Sequence, residues 1–387
     1  MLRRTHMLRS KTTYIEFERP HPRGDTARSR HKLVKRGLKI LNYLKLPEKV
    51  LLMARGRRPL YNHDTDQTIL YNLPEPDYSK QHVLRNAQAP DLTPVGYKSF
   101  QKEMKNTRLV GKGLIPIDQE GYLASEDLAL NLYTDLSITT VEMRPLLFPK
   151  KRVLKGHYIS LVNHWTTWKG FYHWFTDVLP RLRSLEERHK IIIRKPAAPY
   201  EIDSLKILGL LERCVFIEED YLELEHFTYT SPSSYSGAYD PEAIDFVRNS
   251  FLEKVDIPSK TRKIYVTRKG ERRCPLNEEQ VISYFEALGW EIIDCKTMSL
   301  KKQIEVFHQA SHIAASHGGA LVNLLWAQST CKVYEFFPSN RIVATNENIA
   351  LRIGADYHAY IFPSDKKGVQ IDIAKLKTIF ESPQLAL

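Results

Sequence analysis

Two groups of residues have types and spacing suited to chemistry. In the first, His317, Gly318 and Gly319 interrupt an apolar run in "HIAASHGGALVNLLWAQSTCKVYEFFP", residues 312–338. The run before them reads as a strand and the run after them has helical spacing. A strand, Gly-rich turn and helix in that order expose unpaired N–H donors beside a partial positive charge. Glycines there let the backbone approach an anion, most often phosphate. Two glycines alone are a weak signal, for which a packing turn is the default reading. No Gly-x-Gly-x-x-Gly pattern is present, which disfavours NAD. Arg268 directly follows another strand, with Arg272 and Arg273 close behind. In a parallel α/β domain ligands bind beyond the carboxyl ends of the strands, and Arg forks match phosphate oxygens. Glu335 falls at the same edge, where a carboxylate can accept hydrogen bonds from ribose hydroxyls. The bland alternatives are a solvated basic loop and a partly exposed strand-end charge.

The second group lies in "NHWTTWKGFYHWFTDVLPRL". His173 and Asp177 are four residues apart and share a helical face, a pairing suited to general-base catalysis or to a structural hydrogen bond. Trp165, Trp168 and Trp174, three of the five tryptophans, offer apolar faces with polar edges that suit sugar rings. Pro180 should kink or end the helix. Asp64-Thr65-Asp66 has a metal-nucleotide spacing, but no apolar strand precedes it, so it reads as an exposed turn.

The elements that must position these groups alternate. Residues 153–162, 190–194 and 214–218 read as strands, with helices over 170–188 and 201–211 between them. Residues 229–243, rich in Ser, Pro and Gly, read as a linker. A second series has strands at 263–267, 290–294, 312–316 and 332–337, and helices at 277–288, 299–309 and 320–327. Asn277 with Gln280 has a capping-box pattern, and Gly289 suits a left-handed stop. Between 60 and 150, only "RLVGKGLIPI" and "TTVEMRPLLF" look like strands.

A chain of 387 residues fits two domains. Residues 1–60 hold 17 Lys and Arg against 4 Asp and Glu, so the arm carries a net +13 while the whole chain carries +12. The basic character is confined to this arm, which argues against a nucleic-acid-binding body. Its "LVKRGLKILNYLKL" can form a basic amphipathic helix that lies on an anionic membrane surface or docks on its own domain. The first twenty residues lack the apolar core of a secretory signal. No apolar run is long enough to span a bilayer. The four cysteines have no Cys-x-x-Cys pairing and read as free thiols of a reducing cytoplasm.

Together, Tyr172-His173, Asp177 and Leu179-Pro180-Arg181, then Arg268, Arg273 and Asn277-Glu278, then His317-Gly318, Leu321 and Asn323, then Glu335 and Pro338, resemble the ordered motifs of glycosyltransferase family 61. Capsular-polysaccharide biosynthesis proteins of bacteria belong to that family. The resemblance covers about residues 155–340. Thr267 stands where the family has Ser, and His-Gly-Gly-Ala where it usually has His-Gly-Ala-Gly. The resemblance implies an α/β, GT-B-like fold, with two Rossmann-like domains facing each other across a cleft. Residues 61–235 then form the acceptor side and 236–387 the nucleotide-sugar side, with 1–60 as the basic arm. It further implies an inverting, metal-independent transfer from a nucleotide sugar to a glycan or lipid-linked glycan, and the basic arm, which the resemblance does not cover, adds the expectation of attachment to the inner face of the cytoplasmic membrane. Asp177 would be the base, with His173 as its partner or as the base itself. Arg268, Arg273, His317, Gly318, Gly319, Asn323 and Glu335 would serve the donor, and Trp168, Tyr172, Trp174 and Arg181 the acceptor. No cofactor and no nucleic-acid partner are expected. A nucleotide-sugar hydrolase or epimerase on the same fold is the alternative, and a basic nucleic-acid-binding protein a third reading.

Overall fold

The computed structural model describes residues 101–117, 151–163, 165–235, 238–365 and 368–381. The basic arm, Asp64 and Asp66, and the predicted strand at 139–148 lie outside the described residues. Among the described residues, no helix is long and apolar enough to cross a membrane.

The first sheet has six strands: β1 (Gln101–Val110), β2 (Ile115–Ile117), β3 (Lys151–Ser160), β4 (His189–Arg194), β5 (Cys214–Ile217) and β6 (Tyr221–Thr230). They lie in the order β2-β1-β6-β3-β4-β5. The predicted strands at 153–162, 190–194 and 214–218 become β3, β4 and β5 and pair in parallel. "RLVGKGLIPI" is a hairpin instead of one strand, because Gly111 and Leu114 take positive φ values of 76° and 49°. β1 pairs antiparallel with β6, so the sheet is mixed. β6 was not anticipated. It alternates charged and apolar residues (Glu223, Leu224, Glu225), and it lies between β1 and β3. It also takes up the first two residues of the expected linker. A two-stranded hairpin, β7 (Ser234–Tyr235) with β8 (Ala238–Tyr239), follows.

Helix α1 (Pro199–Ile207) connects β4 to β5. Helix α2 (Pro241–Leu252) starts inside the expected linker, where the Asp240 side chain accepts from Glu242 N–H at 3.1 Å and Pro241 occupies the first turn.

The second sheet is fully parallel: β9 (Arg262–Val266), β10 (Glu291–Ile293), β11 (Ala310–Ser316), β12 (Lys332–Pro338) and β13 (Asp356–Phe362), in the order β10-β9-β11-β12-β13. Helices α3 (Glu278–Ala287) and α4 (Leu300–His308) agree with the periodicity, and Gly289 takes the expected left-handed conformation at φ 73°. The capping box at Asn277 does not form. Its side chain bridges to the backbone of Ile371 instead, at 2.8 and 3.0 Å. The alternation continues past the motifs through α5 (Thr345–Ile353), β13 and α6 (Ile373–Phe380).

The expected helix over 170–188 changes pitch along its length. One α turn (Phe171–His173) passes into a π segment (Trp174–Val178) and then a 3-10 segment (Leu179–Ser184). Proline explains the break. Pro180 has no N–H for the carbonyl of Thr176 four residues back, and that carbonyl accepts from Ser233 Oγ at 2.7 Å instead. Single-turn π segments of this kind are frequent at functional sites.

This segment joins the two sheets. Phe175 packs edge-on against Trp326 and Phe251, with centroids 5.7 and 6.1 Å apart. One apolar cluster runs from Ile159 and Ile191 of the first sheet, through these rings, to Ile264 and Ile313 of the second. Removing the Ser233 hydroxyl leaves the buried Thr176 carbonyl without its partner. Ser233→Ala should therefore lower unfolding free energy by roughly 1–3 kcal/mol in chemical denaturation. An unchanged midpoint would mean that another donor serves that carbonyl.

Candidate functional site

The π segment sets the first half of the site. His173 Nδ1 lies 2.7 Å from Asp177 Oδ2, and the Thr176 hydroxyl donates to the same oxygen at 3.0 Å. With a carboxylate as acceptor, Nδ1 carries the ring proton, which leaves Nε2 with a lone pair. The two side chains differ in access: His173 is 30 % exposed and Asp177 only 6 %. Trp165 stacks on the imidazole, with centroids 4.1 Å apart and planes 6° from parallel. Gly170 lies against the ring, since a Cβ there would be 3.3 Å from His173 Cδ2. The imidazole is thus gripped between Trp165 and a carboxylate, with its outer edge open.

The second half is the turn after β11. Tyr265 O–H, Thr267 Oγ1 and Arg268 N–H all donate to the buried Glu278 carboxylate, at 2.9, 2.5 and 2.8 Å. That clasp directs Arg268 inward. Its guanidinium donates to His317 O at 3.0 Å and to Arg272 O at 2.6 Å. It occupies the space where residue 318 would carry a side chain: a Cβ there would lie 1.3 Å from Arg268 Nη1. A side chain at 318 would therefore have to push the Arg268 guanidinium aside, while the φ of 177° is ordinary extended backbone and makes no demand of its own. At 319 a Cβ would meet only Tyr172 Cβ, at 3.7 Å, an ordinary contact. The second glycine of His-Gly-Gly-Ala is therefore not demanded by packing at 319, and the turn accommodates the departure from the usual spacing. The same contact brings the His173 segment against the turn. Among the described residues, the Tyr172 hydroxyl and Arg268 Nε are buried without hydrogen-bond partners.

Glu335 does not stand at an open edge. It is fully buried. His317 Nδ1 lies 2.6 Å from Oε1, Asn346 donates to the same oxygen at 2.7 Å, and Tyr357 O–H donates to Oε2. Its oxygens are engaged by these groups, so its role is to hold His317, whose ring also stacks on Phe337 with centroids 4.9 Å apart. Asn323 is likewise internal. It donates to Gln303 Oε1 at 2.8 Å and accepts from Trp326 Nε1 at 3.0 Å, which ties the 3-10 helix Gly319–Trp326 to α4. Both residues depart from their expected donor contacts, because each is sealed by neighbours that sequence spacing does not show.

Two expected acceptor residues also depart. Trp174 is buried with its N–H donating to Ser204 at 3.0 Å. Arg181 is buried and donates to the carbonyl of Asp177 at 3.3 Å. The side chain of Trp168 lies outside the described residues. Arg273, at a positive φ of 67°, keeps more than a third of its surface in water, but partial loss of hydration together with nearby Arg341, Arg268 and Arg272 lowers its pKa to about 10. Trp165, named in the sequence only as one of three tryptophans suited to sugar rings, stacks on His173. Arg341 acts electrostatically on Arg273, and nothing local in the sequence marked it.

Residues 171–334, which contain His173, Asp177, Arg268 and the 317–319 turn but neither Trp165 nor Glu335, match the protein-family model described as Glycosyltransferase 61. No curated protein sequence matches the chain.

Gly318→Ala must displace the Arg268 guanidinium and break its bond to His317 O. It should cost roughly 1–3 kcal/mol in stability, whereas Gly319→Ala should be close to silent in the same thermal melt. Equal effects would remove the steric argument. Behind the turn, burial and the adjacent Glu335 raise the pKa of Glu347 to about 7, from a usual 4.5. Between those values the folded chain binds more protons than the unfolded chain, so stability falls as pH rises. Glu347→Gln should flatten that fall, gaining roughly 1–3 kcal/mol on the wild type between pH 4 and pH 8. A wild-type slope in the variant would assign the titration elsewhere.

Proposed function

We propose, from the match of residues 171–334 to the Glycosyltransferase 61 model, that the chain is a family 61 enzyme carrying out an inverting transfer in which His173 is the base. The observation that carries this reading is the pairing of an accessible His173 with a buried Asp177, on a segment whose Tyr172 touches the glycine turn. His173 Nε2 takes the proton of an acceptor hydroxyl. The oxygen attacks the anomeric carbon of a nucleotide sugar, and the bond from that carbon to the diphosphate breaks. Asp177 keeps Nδ1 protonated and stabilises the imidazolium that forms. The diphosphate departs with its negative charge toward Arg273 and the backbone of the 317–319 turn. The donor is served by the second sheet and the acceptor by the first, in the manner of a GT-B enzyme. No step needs a metal.

The basic arm supports peripheral attachment to an anionic membrane surface, where a lipid-linked or capsular glycan acceptor is made. The asymmetry of charge in residues 1–60 is its support.

His173→Ala should reduce kcat by roughly 10³-fold or more and Asp177→Asn by less, with nucleotide binding preserved in both. The measurements are sugar transfer and nucleoside diphosphate titration on the same preparations. A larger loss in the Asp177 variant would move the base to the carboxylate. Activity lost to EDTA and restored by manganese would refute the metal-free route.

A further inference from the structure

Three parallel strands, β9, β11 and β12, are neighbours in that order, with β11 in the middle. Ala315 is level with Val266 of β9, and Ser316 with Phe336 of β12, so all three chains leave the sheet at one edge. The loop after β9 carries Arg273. The loop after β12 carries Arg341. The His317-Gly318-Gly319 turn lies between them.

Arg341 is held at a set height above the sheet. Its N–H donates to Pro338 O at 3.0 Å, and the loop is tied to the strand beyond by Ser339 N–H to Phe362 O at 2.9 Å. Its side chain is exposed. Arg341 is also close enough to Arg273 to depress its ionisation, more strongly than Arg268 or Arg272 does.

The acids of this region are already committed. Glu278 is taken by the end of β9. Glu271 pairs with Lys296 at 3.4 Å and Glu279 with Lys269 at 2.6 Å. Among the described residues, no carboxylate forms an ion pair with Arg272, Arg273 or Arg341. Like charges gathered without counter-charges raise the energy of the unliganded protein, and an anion between them relieves it. Arg268 is not free to do so through the two nitrogens it spends on carbonyls.

We propose that Arg341 and Arg273 close on the diphosphate from opposite sides of the glycine turn, and that this pair makes the site select a nucleoside diphosphate over a monophosphate. The inference rests on the nucleotide-sugar reading above and adds Arg341, which lies beyond the residues of the family match. A single phosphate spans one arginine fork, whereas a diphosphate reaches both.

The test is calorimetric titration of the wild type, Arg341→Ala and Arg341→Lys with UDP, GDP, CDP and ADP, their monophosphates and inorganic pyrophosphate. Because Arg341 is exposed, its truncation should leave the melting temperature unchanged, which is checked alongside. For the diphosphate that binds best, Arg341→Ala should lose about 10- to 100-fold in affinity. Its monophosphate should lose little, and Arg341→Lys should recover only part. If the wild type binds a diphosphate and Arg341→Ala binds it equally well, or loses both phosphate forms equally, the clamp is overturned while the nucleotide site stands. If the wild type binds none of these compounds, the nucleotide-sugar reading fails and the clamp with it.

Discussion

A carboxylate with no access to water sits on the central part of the second sheet, and much of the site depends on holding it. A buried charge without partners is expensive. Glu335 draws its partners from three elements: His317 from the turn after β11, Asn346 from α5 and Tyr357 from β13. Each must be in place for the charge to be tolerated. The arrangement thereby couples the position of the His317 ring to the packing of the whole carboxyl half. Glu347, forced into the same interior, answers by keeping its proton to a higher pH.

The glycine turn is the outer face of that constraint. His317 is held from behind by Glu335, and its carbonyl is held from the side by Arg268. Arg268 is in turn set by the Glu278 clasp at the end of β9. The backbone of residues 317–319 is therefore fixed by side chains on two other strands and a helix. A preorganised backbone of this kind suits an anion that must be bound without rearrangement.

On the other side, Pro180 and the π segment set His173 and Asp177 at different depths. The proline removes a hydrogen bond from the helix, and Ser233 replaces it. The result is a carboxylate in the interior and an imidazole at the rim, stacked on Trp165. Phe175, midway between His173 and Asp177 in the chain, anchors the segment on Trp326. The two halves of the site share a core, so their spacing is a property of packing and not of the loops.

Much of this was legible in the order of residues. The alternation that marks β3, β4, β9, β11 and β12, the spacing of His173 to Asp177, and the position of Arg268 after a strand are local patterns, and local periodicity reports local structure. Strand β6 escaped because its alternating charges resemble a surface segment until neighbours on both sides are known. The capping box at Asn277 failed because a backbone segment 94 residues away competes for the same side chain. What tertiary structure alone decided was which charged groups face water. Glu335, Asn323, Arg181 and Trp174 are sealed by elements distant in sequence, while His173, Arg273 and Arg341 are not. The chain by itself determined which residues lie at the carboxyl edge of the parallel strands. Whether each can meet a ligand depends on what packs over it, and that is a non-local property.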